Sequence, residues 1–222
     1  MTHDVVLLFD VDNTLLDNDR VTDDLHDFLE REVGAAQTQE YFALFEELRQ
    51  ELGYADYLGA LQRFRIAHPH EPGVLRASSW LVDYPFAERL YPRALDVIAR
   101  LGTLGPTVIL TDGDVVFQPR KIERSGIYAA VDGRVLDYVH KEHELADVER
   151  RFPARRYVLV DDKLRILAAV KDAWGERVTT VFPRQGHYAH DPAVLAEYPE
   201  ARFADVAVAA IGDLLQLDLA SL

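Results

Sequence analysis

Residues 5–12 read Val5-Val6-Leu7-Leu8-Phe9-Asp10-Val11-Asp12, and this stretch decides the fold. An apolar run without polar alternation is typical of a strand in a parallel sheet, which is buried on both faces. Three further runs have the same character: residues 107–110 before Thr111-Asp112-Gly113, residues 157–160 before Asp161-Asp162, and residues 177–182 before Pro183. We therefore predict four parallel strands.

Helical spacing of apolar residues lies between these runs, over residues 92–101, 116–125, 163–174 and 206–217. Alternating strands and helices predict an α/β fold with a Rossmann-like parallel sheet and helices on both faces. Residues 18–88 break the alternation, because we find only helical patterns there: residues 22–33, 38–52, 54–66 and 73–82. We predict a core domain of residues 1–17 and 89–222, with residues 18–88 as an inserted all-helical subdomain.

The composition narrows the classes of function. The chain has 222 residues, with 24 Lys+Arg against 38 Asp+Glu, a net charge of −14 and no cysteine. The acidic balance argues against nucleic acid as a main partner, and the lack of cysteine excludes disulfides and thiol catalysis. We find neither a basic leader nor an apolar run long enough for a membrane span, so we expect a cytoplasmic protein with no membrane partner.

Polar side chains follow three of the predicted strands. Parallel strands bring their carboxyl ends to one edge of the sheet, so Asp10, Asp12, Thr111, Asp161 and Asp162 are expected to meet there. Neighbouring carboxylates in a partly dry pocket repel one another unless a cation lies between them. Oxygen ligands without cysteine suit Mg²⁺, which also binds phosphate.

These strand ends form motifs in a characteristic order. Phe9-Asp10-Val11-Asp12-Asn13-Thr14-Leu15 resembles the first motif of the haloacid dehalogenase (HAD) superfamily. Leu110-Thr111-Asp112-Gly113 resembles the second motif, Lys141 lies where the third-motif lysine is expected, and Val160-Asp161-Asp162 resembles the fourth. The resemblance spans nearly the whole chain. It implies the phosphatase branch, with residues 18–88 as a helical cap of the C1 type.

The resemblance also implies the chemistry of the first motif. Asp10 would attack phosphorus and form an aspartyl-phosphate. Asp12 would protonate the leaving oxygen and then deprotonate the water that cleaves the intermediate. The dehalogenases of the superfamily lack this second acid, so Asp12 favours phosphate-ester chemistry.

The remaining motifs would bind phosphate and metal. By resemblance, Thr111, Lys141 and the amides around Asp112 and Gly113 would hold the phosphoryl oxygens. The resemblance implies these Mg²⁺ ligands: Asp10, the backbone carbonyl of Asp12, Asp162, and Asp161 through water or as an orienting group. Asp112 and Asp114 depart from the family pattern because they add negative charge beside the phosphate loop.

The motifs leave some roles and functions open. Lys121 is a rival for the lysine role, and His140 with His143 lacks the further ligands of a zinc site. Possible substrate contacts are Arg49, Tyr54, Arg63, Arg65, Arg184 and His187. The predicted partner is a small phosphorylated metabolite. Competing functions are a phosphomutase, a receiver-type signalling domain and a non-catalytic phosphate-binding protein, and the chain could be a monomer or a homodimer.

Overall fold

A six-stranded parallel sheet organises the molecule, in a computed structural model that describes residues 2–218. The strand order is β3-β2-β1-β4-β5-β6, and every neighbouring pair is parallel. The strands are β1 (His3–Phe9), β2 (Thr107–Asp112), β3 (Val135–Tyr138), β4 (Ala154–Val160), β5 (Val178–Pro183) and β6 (Val206–Val208). The order places β1 and β4, with their acidic ends, side by side in the middle of the sheet.

Alternate residues of β1 pack on opposite faces of the sheet. Leu7 and Phe9 belong to one buried apolar cluster, while Val6 and Leu8 belong to the other. All four of these side chains are fully buried, which explains the run of apolar residues that opens the chain. The prediction of a Rossmann-like α/β core is confirmed.

Helices cover both faces of this sheet. Between β1 and β2 lie α1 (Asn18–Val33), α2 (Ala35–Leu52), α3 (Tyr57–Ala67), α4 (Gly73–Asp83) and α5 (Ala94–Leu101). After β2 come α6 (Phe117–Arg124), α7 (Ile127–Ala130), α8 (Leu145–Arg151), α9 (Leu164–Trp174), α10 (Pro192–Glu197) and α11 (Glu200–Phe203). Short 3-10 helices span Phe86–Arg89, Lys141–His143, Gly175–Arg177, Tyr188–His190 and Ile211–Gln216.

Residues 18–89, which we call the helical segment, leave and rejoin the sheet at adjacent points. Leu16 and Leu90 form an antiparallel bridge, and the amide of Asp17 donates to the carbonyl of Arg89 at 2.8 Å. Asp17 also caps α1, because its side chain accepts from the amide of Arg20 at 3.0 Å. The boundaries of a separate subdomain at residues 18 and 88 stay a prediction.

Three parts of the predicted secondary structure are wrong or incomplete. The helix predicted over residues 206–217 is instead β6 followed by a 3-10 helix, because Val206–Val208 pairs with the edge of β5. Strand β3 was not predicted, since its four residues are too few to show a pattern. Helices α7, α8, α10 and α11 were also missed, and none is longer than seven residues.

Within residues 2–218, none of the helices combines the length and the apolar character needed to span a bilayer.

Candidate active site

Three carboxylates meet where β1 and β4 end. Asp10 directly follows β1, and its amide donates to the carbonyl of Val160 at 3.0 Å, which fixes it beside Asp161 and Asp162. One oxygen from each of the three aspartates lies within 4.8 Å of the others, and all three side chains are buried. We call these three residues the aspartate cluster.

Lys141 neutralises part of this negative charge. Its Nζ atom lies 2.5 Å from Asp10 Oδ1, 2.7 Å from Asp161 Oδ2 and 3.3 Å from the carbonyl oxygen of Leu110. The lysine enters from the 3-10 helix after β3 and is completely buried. Burial disfavours its charge, but the nearby aspartates outweigh this and raise the pKa of Lys141 well above its usual value.

Two ammonium groups, those of Lys141 and Lys163, act on the three carboxylates, and they do not offset the cost of burying them. Burial raises the pKa of Asp161 to about 6, and it raises the pKa of Asp162 well above the ordinary value. Among the described residues, neither oxygen of Asp162 has a hydrogen-bond partner, and neither does Asp10 Oδ2. Buried carboxylate oxygens without partners are costly, so this cluster has the chemistry of a site for a divalent cation.

The loop after β1 is locked to its neighbours. Asn13 has a positive φ of 59°, and its Oδ1 atom accepts from the amide of Asn18 at 3.0 Å, at the start of α1. Thr14 Oγ1 accepts from the amide of Asp162 at 3.0 Å. The Asn-Thr pair of the first motif therefore holds the β1 loop against both the helical segment and the end of β4.

Asp12 forms an ion pair with a different lysine, Lys121. Lys121 Nζ on α6 lies 2.6 Å from Asp12 Oδ1 and donates to Asn18 Oδ1 at 2.8 Å. The Lys121 side chain is 1% exposed, whereas the Asp12 side chain is 23% exposed. The two candidate lysines thus have different partners, with Lys141 at Asp10 and Lys121 at Asp12.

Thr111 lies beside Asp10 at the end of β2. Its hydroxyl donates to Asp10 Oδ1 over 3.4 Å, a long contact, and accepts from Gln118 Nε2 at 2.9 Å. Gln118 is buried and was not predicted, although it lies in the first turn of the helix that follows the second motif. A Cβ on Gly113 would lie 2.4 Å from Gln118 Cβ, so glycine is needed for this packing.

The other groups around the second motif are already hydrogen-bonded. The amide of Gly113 donates to the carbonyl of Tyr138 at 3.1 Å, so this amide would have to exchange partners to bind phosphate. Asp112 Oδ1 accepts from the amide of Lys141 at 2.6 Å. Asp114 Oδ1 accepts from the amides of Val116 and Phe117, at 2.9 and 2.8 Å, just before and at the start of α6. The two additional acids therefore have structural partners.

A cavity of about 510 Å³ lies between this edge of the sheet and the helical segment. Its lining includes Arg49, Tyr54 and His187 from the predicted substrate contacts. Asp12 and Lys163 line it on the side of the sheet. Asp12, the predicted general acid, therefore lines the same cavity as side chains of α1, α2 and the loop before α3.

The remaining candidates do not line this cavity. Arg63 pairs with Glu51, and Arg184 binds Glu200 through both its Nε and Nη2 atoms. Arg65 lines a separate groove beside the loop before α4. His140 and His143 have ring centroids 5.6 Å apart, but in residues 2–218 they join no group spaced for a metal ion.

Comparison with known proteins identifies the family. The family model for haloacid dehalogenase-like hydrolases matches residues 5–173. A crystal structure from Burkholderia xenovorans LB400, described as a haloacid dehalogenase-like hydrolase, is 59% identical with a TM-score of 0.93. The alignment covers 99% of this chain and 98% of that chain.

More distant structures share the fold. L-2-haloacid dehalogenase from Xanthobacter autotrophicus is 22% identical, with a TM-score of 0.61 and 98% of each chain covered. The HAD-hydrolase YfnB from Bacillus subtilis, in a structure bound to magnesium, is 16% identical to this chain with a TM-score of 0.63. The alignment covers 97% of this chain and 98% of that chain. No curated protein compared with the chain matches it. On the family model and the close Burkholderia relative, the chain belongs to the haloacid dehalogenase-like hydrolase family.

Proposed function

We propose that this hydrolase is a phosphatase that cleaves a small phosphate monoester through an aspartyl-phosphate on Asp10. The observation that carries the proposal is the pairing of two carboxylates with two different lysines, Asp10 with Lys141 and Asp12 with Lys121. Asp10 is buried and held for attack, while Asp12 lines the adjacent cavity, where a leaving oxygen would lie. The pair supplies a nucleophile and a separate proton carrier.

The aspartate cluster fits Mg²⁺. Asp10 and Asp162 supply carboxylate oxygens without protein partners, and Asp161 lies beside them. The backbone carbonyl of Asp12 is a further proposed ligand. A bound Mg²⁺ would neutralise the phosphoryl oxygens, so that an anionic carboxylate can approach them.

In the first step, a carboxylate oxygen of Asp10 forms a bond to phosphorus as the bond from phosphorus to the ester oxygen breaks. The leaving oxygen takes a proton from Asp12 and departs as an alcohol. Lys141, the hydroxyl of Thr111 and amides of the loop after β2 would hold the phosphoryl oxygens. Before it could bind phosphate, the amide of Gly113 would have to break its hydrogen bond to the carbonyl of Tyr138.

In the second step, Asp12 returns to its starting state. It takes a proton from a water molecule as the water oxygen bonds to phosphorus, and the bond from phosphorus to the Asp10 oxygen breaks. Inorganic phosphate leaves, Asp10 is a carboxylate again, and Asp12 carries a proton. The helical segment would act as the cap that closes over the cavity and limits the access of bulk water.

Phosphate release from a panel of phosphorylated metabolites tests the proposal. We expect Mg²⁺-dependent release by the wild type, loss of release on addition of EDTA, and no turnover by an Asp10→Asn variant that keeps its melting temperature. Near-normal turnover by Asp10→Asn would refute the nucleophile. A phosphomutase would instead form an isomerised phosphate ester and release no free phosphate.

Two further measurements distinguish a phosphatase from a dehalogenase and from a binding protein. A dehalogenase would release halide from 2-chloropropionate, which we expect this protein not to do because Asp12 and the aspartate cluster favour a phosphate ester. A non-catalytic protein would bind phosphate esters without product formation. Location in the cytoplasm, the absence of nucleic-acid and membrane partners, and the choice between monomer and homodimer stay predictions.

A further inference from the structure

The cavity beside Asp12 has an acidic wall. The side chains that the helical segment contributes to it include Asp19, Asp23 and Glu46, against one cation, Arg49. Asp23 is exposed and forms no ion pair with another described residue. Hydroxyl groups of Thr22, Tyr54 and Tyr57 complete this wall. The hydroxyl groups of Thr22 and Tyr57 are hydrogen-bonded to each other at 2.7 Å.

The one guanidinium in this wall is already neutralised. Arg49 donates from Nε and Nη2 to the two carboxylate oxygens of Glu46, at 2.9 and 2.7 Å. Its Nη1 atom donates to the hydroxyl of Tyr188 at 2.5 Å. These bonds use three of the five N–H groups, and the bidentate contact with Glu46 offsets the charge of Arg49. An anion that bound the remaining N–H groups would therefore place a second negative charge beside Glu46 without an additional cation from Arg49.

The other cations of the cavity are also paired or lie elsewhere. The imidazole of His187 lies 2.6 Å from Asp19 Oδ1, and the amide of His187 donates to Asp19 Oδ2 at 2.7 Å. Lys163 follows Asp162 directly and lies 5.6 Å from the centre of the Tyr188 ring, on the side of the aspartate cluster. The acids that act most strongly on its charge are Asp10, Asp162 and Asp161, and among the described residues it forms no ion pair with an acid of the helical segment.

We infer that the leaving group of the substrate carries hydroxyl or ammonium donors and no second anionic group. This inference rests on the proposed phosphatase function and names the class of ester that it acts on. Hydroxyl or ammonium groups on the leaving group would donate hydrogen bonds to Asp23 and to the hydroxyl oxygens of the wall. A second phosphate or a carboxylate on the leaving group would be repelled by the acids of this wall, because the helical segment contributes no unpaired cation to it.

Three phosphate esters of equal length test the charge preference. Phosphoethanolamine, 2-hydroxyethyl phosphate and 2-phosphoglycolate carry an ammonium, a hydroxyl and a carboxylate at the same position. We expect kcat/KM for the first two to exceed that for 2-phosphoglycolate at least about tenfold, the effect of one unfavourable charge contact near a protein surface. The same order is expected for inhibition constants against hydrolysis of p-nitrophenyl phosphate.

The outcomes separate the two proposals. Hydrolysis of phosphate esters with 2-phosphoglycolate equal to or better than the other two would overturn the inference and leave the phosphatase function standing. No phosphate release from any ester would overturn the proposed function and, with it, this inference.

A matched pair of variants on α2 tests the origin of the preference. Glu46→Gln removes the partner of Arg49, so we expect the preference against 2-phosphoglycolate to shrink at least about threefold, mainly through a lower KM for that ester. Glu47→Gln makes the same charge change one residue away, at an exposed position outside the cavity lining, and should leave the ratio unchanged. Equal shifts in both variants would mean that only net charge matters and would overturn the assignment to this wall.

Discussion

Replacement of Lys121 by Met should slow formation of the phosphoenzyme without weakening substrate binding. In the proposed first step Asp12 would give up a proton, so negative charge would develop on a carboxylate that lies 2.6 Å from Lys121 Nζ. The ammonium would therefore stabilise the transition state of that step. Lys121 does not line the cavity, so KM should change little.

The size of the effect follows from the geometry of the pair. At 2.6 Å, an effective dielectric constant of about 20 gives a Coulomb attraction of roughly 6 kcal/mol. Desolvation of an ammonium that is 1% exposed offsets several kcal/mol of this, which leaves about 1.5–3 kcal/mol for a charge-assisted hydrogen bond. If the transition state loses that amount, phosphoenzyme formation slows by about 10- to 100-fold.

A double-mutant cycle in a rapid-quench assay measures this coupling. Asp12→Asn alone should slow the reaction by about 10²- to 10⁴-fold, and Lys121→Met should add nothing further in that background, because the carboxylate it acts through is gone. Lys171→Met is the control, since it also removes a paired lysine but acts on Asp205, away from the cavity. Independent, additive losses from Lys121→Met and Asp12→Asn would refute the assignment, and so would wild-type kcat in Lys121→Met.

Four further predictions concern binding and stability. Mg²⁺ should raise the melting temperature of the wild type but not of Asp162→Asn, measured by calorimetry, because that variant loses a carboxylate whose two oxygens have no described partner. Gly186→Ala should lower the free energy of unfolding by about 2 kcal/mol or more, because φ is +68° and the new Cβ would lie 2.5 Å from a side chain of the loop after β1. Gly126→Ala, in the left-handed helical region with φ of +85° and no neighbour nearer than 3.9 Å, should cost only about 1 kcal/mol in urea unfolding. Burial opposes ionisation of Asp205, but the hydrogen bonds from Lys171 and Thr180 together outweigh it and lower the pKa of Asp205. The stabilisation is therefore present above the unfolded value of about 4 and is lost as pH falls below it, so Asp205→Asn should flatten that part of the stability curve in acid titrations.

The centre of the sheet and the aspartate cluster were predictable because the motifs at Asp10, Thr111 and Asp161-Asp162 directly follow long apolar runs. Strands β1, β2 and β4 are buried on both faces, so their sequences show the burial without any tertiary information. The two strands that were missed, β3 and β6, lie at the edges of the sheet. They contain only four and three residues, and most of these residues are half-buried, so their sequences show little hydrophobic pattern. Short edge strands form because they pair with a neighbouring strand, and the local sequence does not specify that pairing.

Side-chain partners across the cavity were not predictable in the same way. Lys121 and Lys141 are rivals for one role in the sequence, but the order β3-β2-β1 brings Lys141 to Asp10 while α6 carries Lys121 to Asp12. The pairing of Arg49 with Tyr188 joins residues 139 positions apart. Such contacts depend on how α2 lies against the sheet, and helical periodicity fixes only which face of α2 is buried.

The bridge between Leu16 and Leu90 has a consequence for how this protein can be remodelled. The chain departs from the sheet and returns to it through two neighbouring stretches that are hydrogen-bonded to each other. A different helical insert needs only to start and finish at the same two points to leave the strand order unchanged. Selection or engineering can therefore exchange the helical segment while the aspartate cluster and Lys141 keep their places at the end of the sheet.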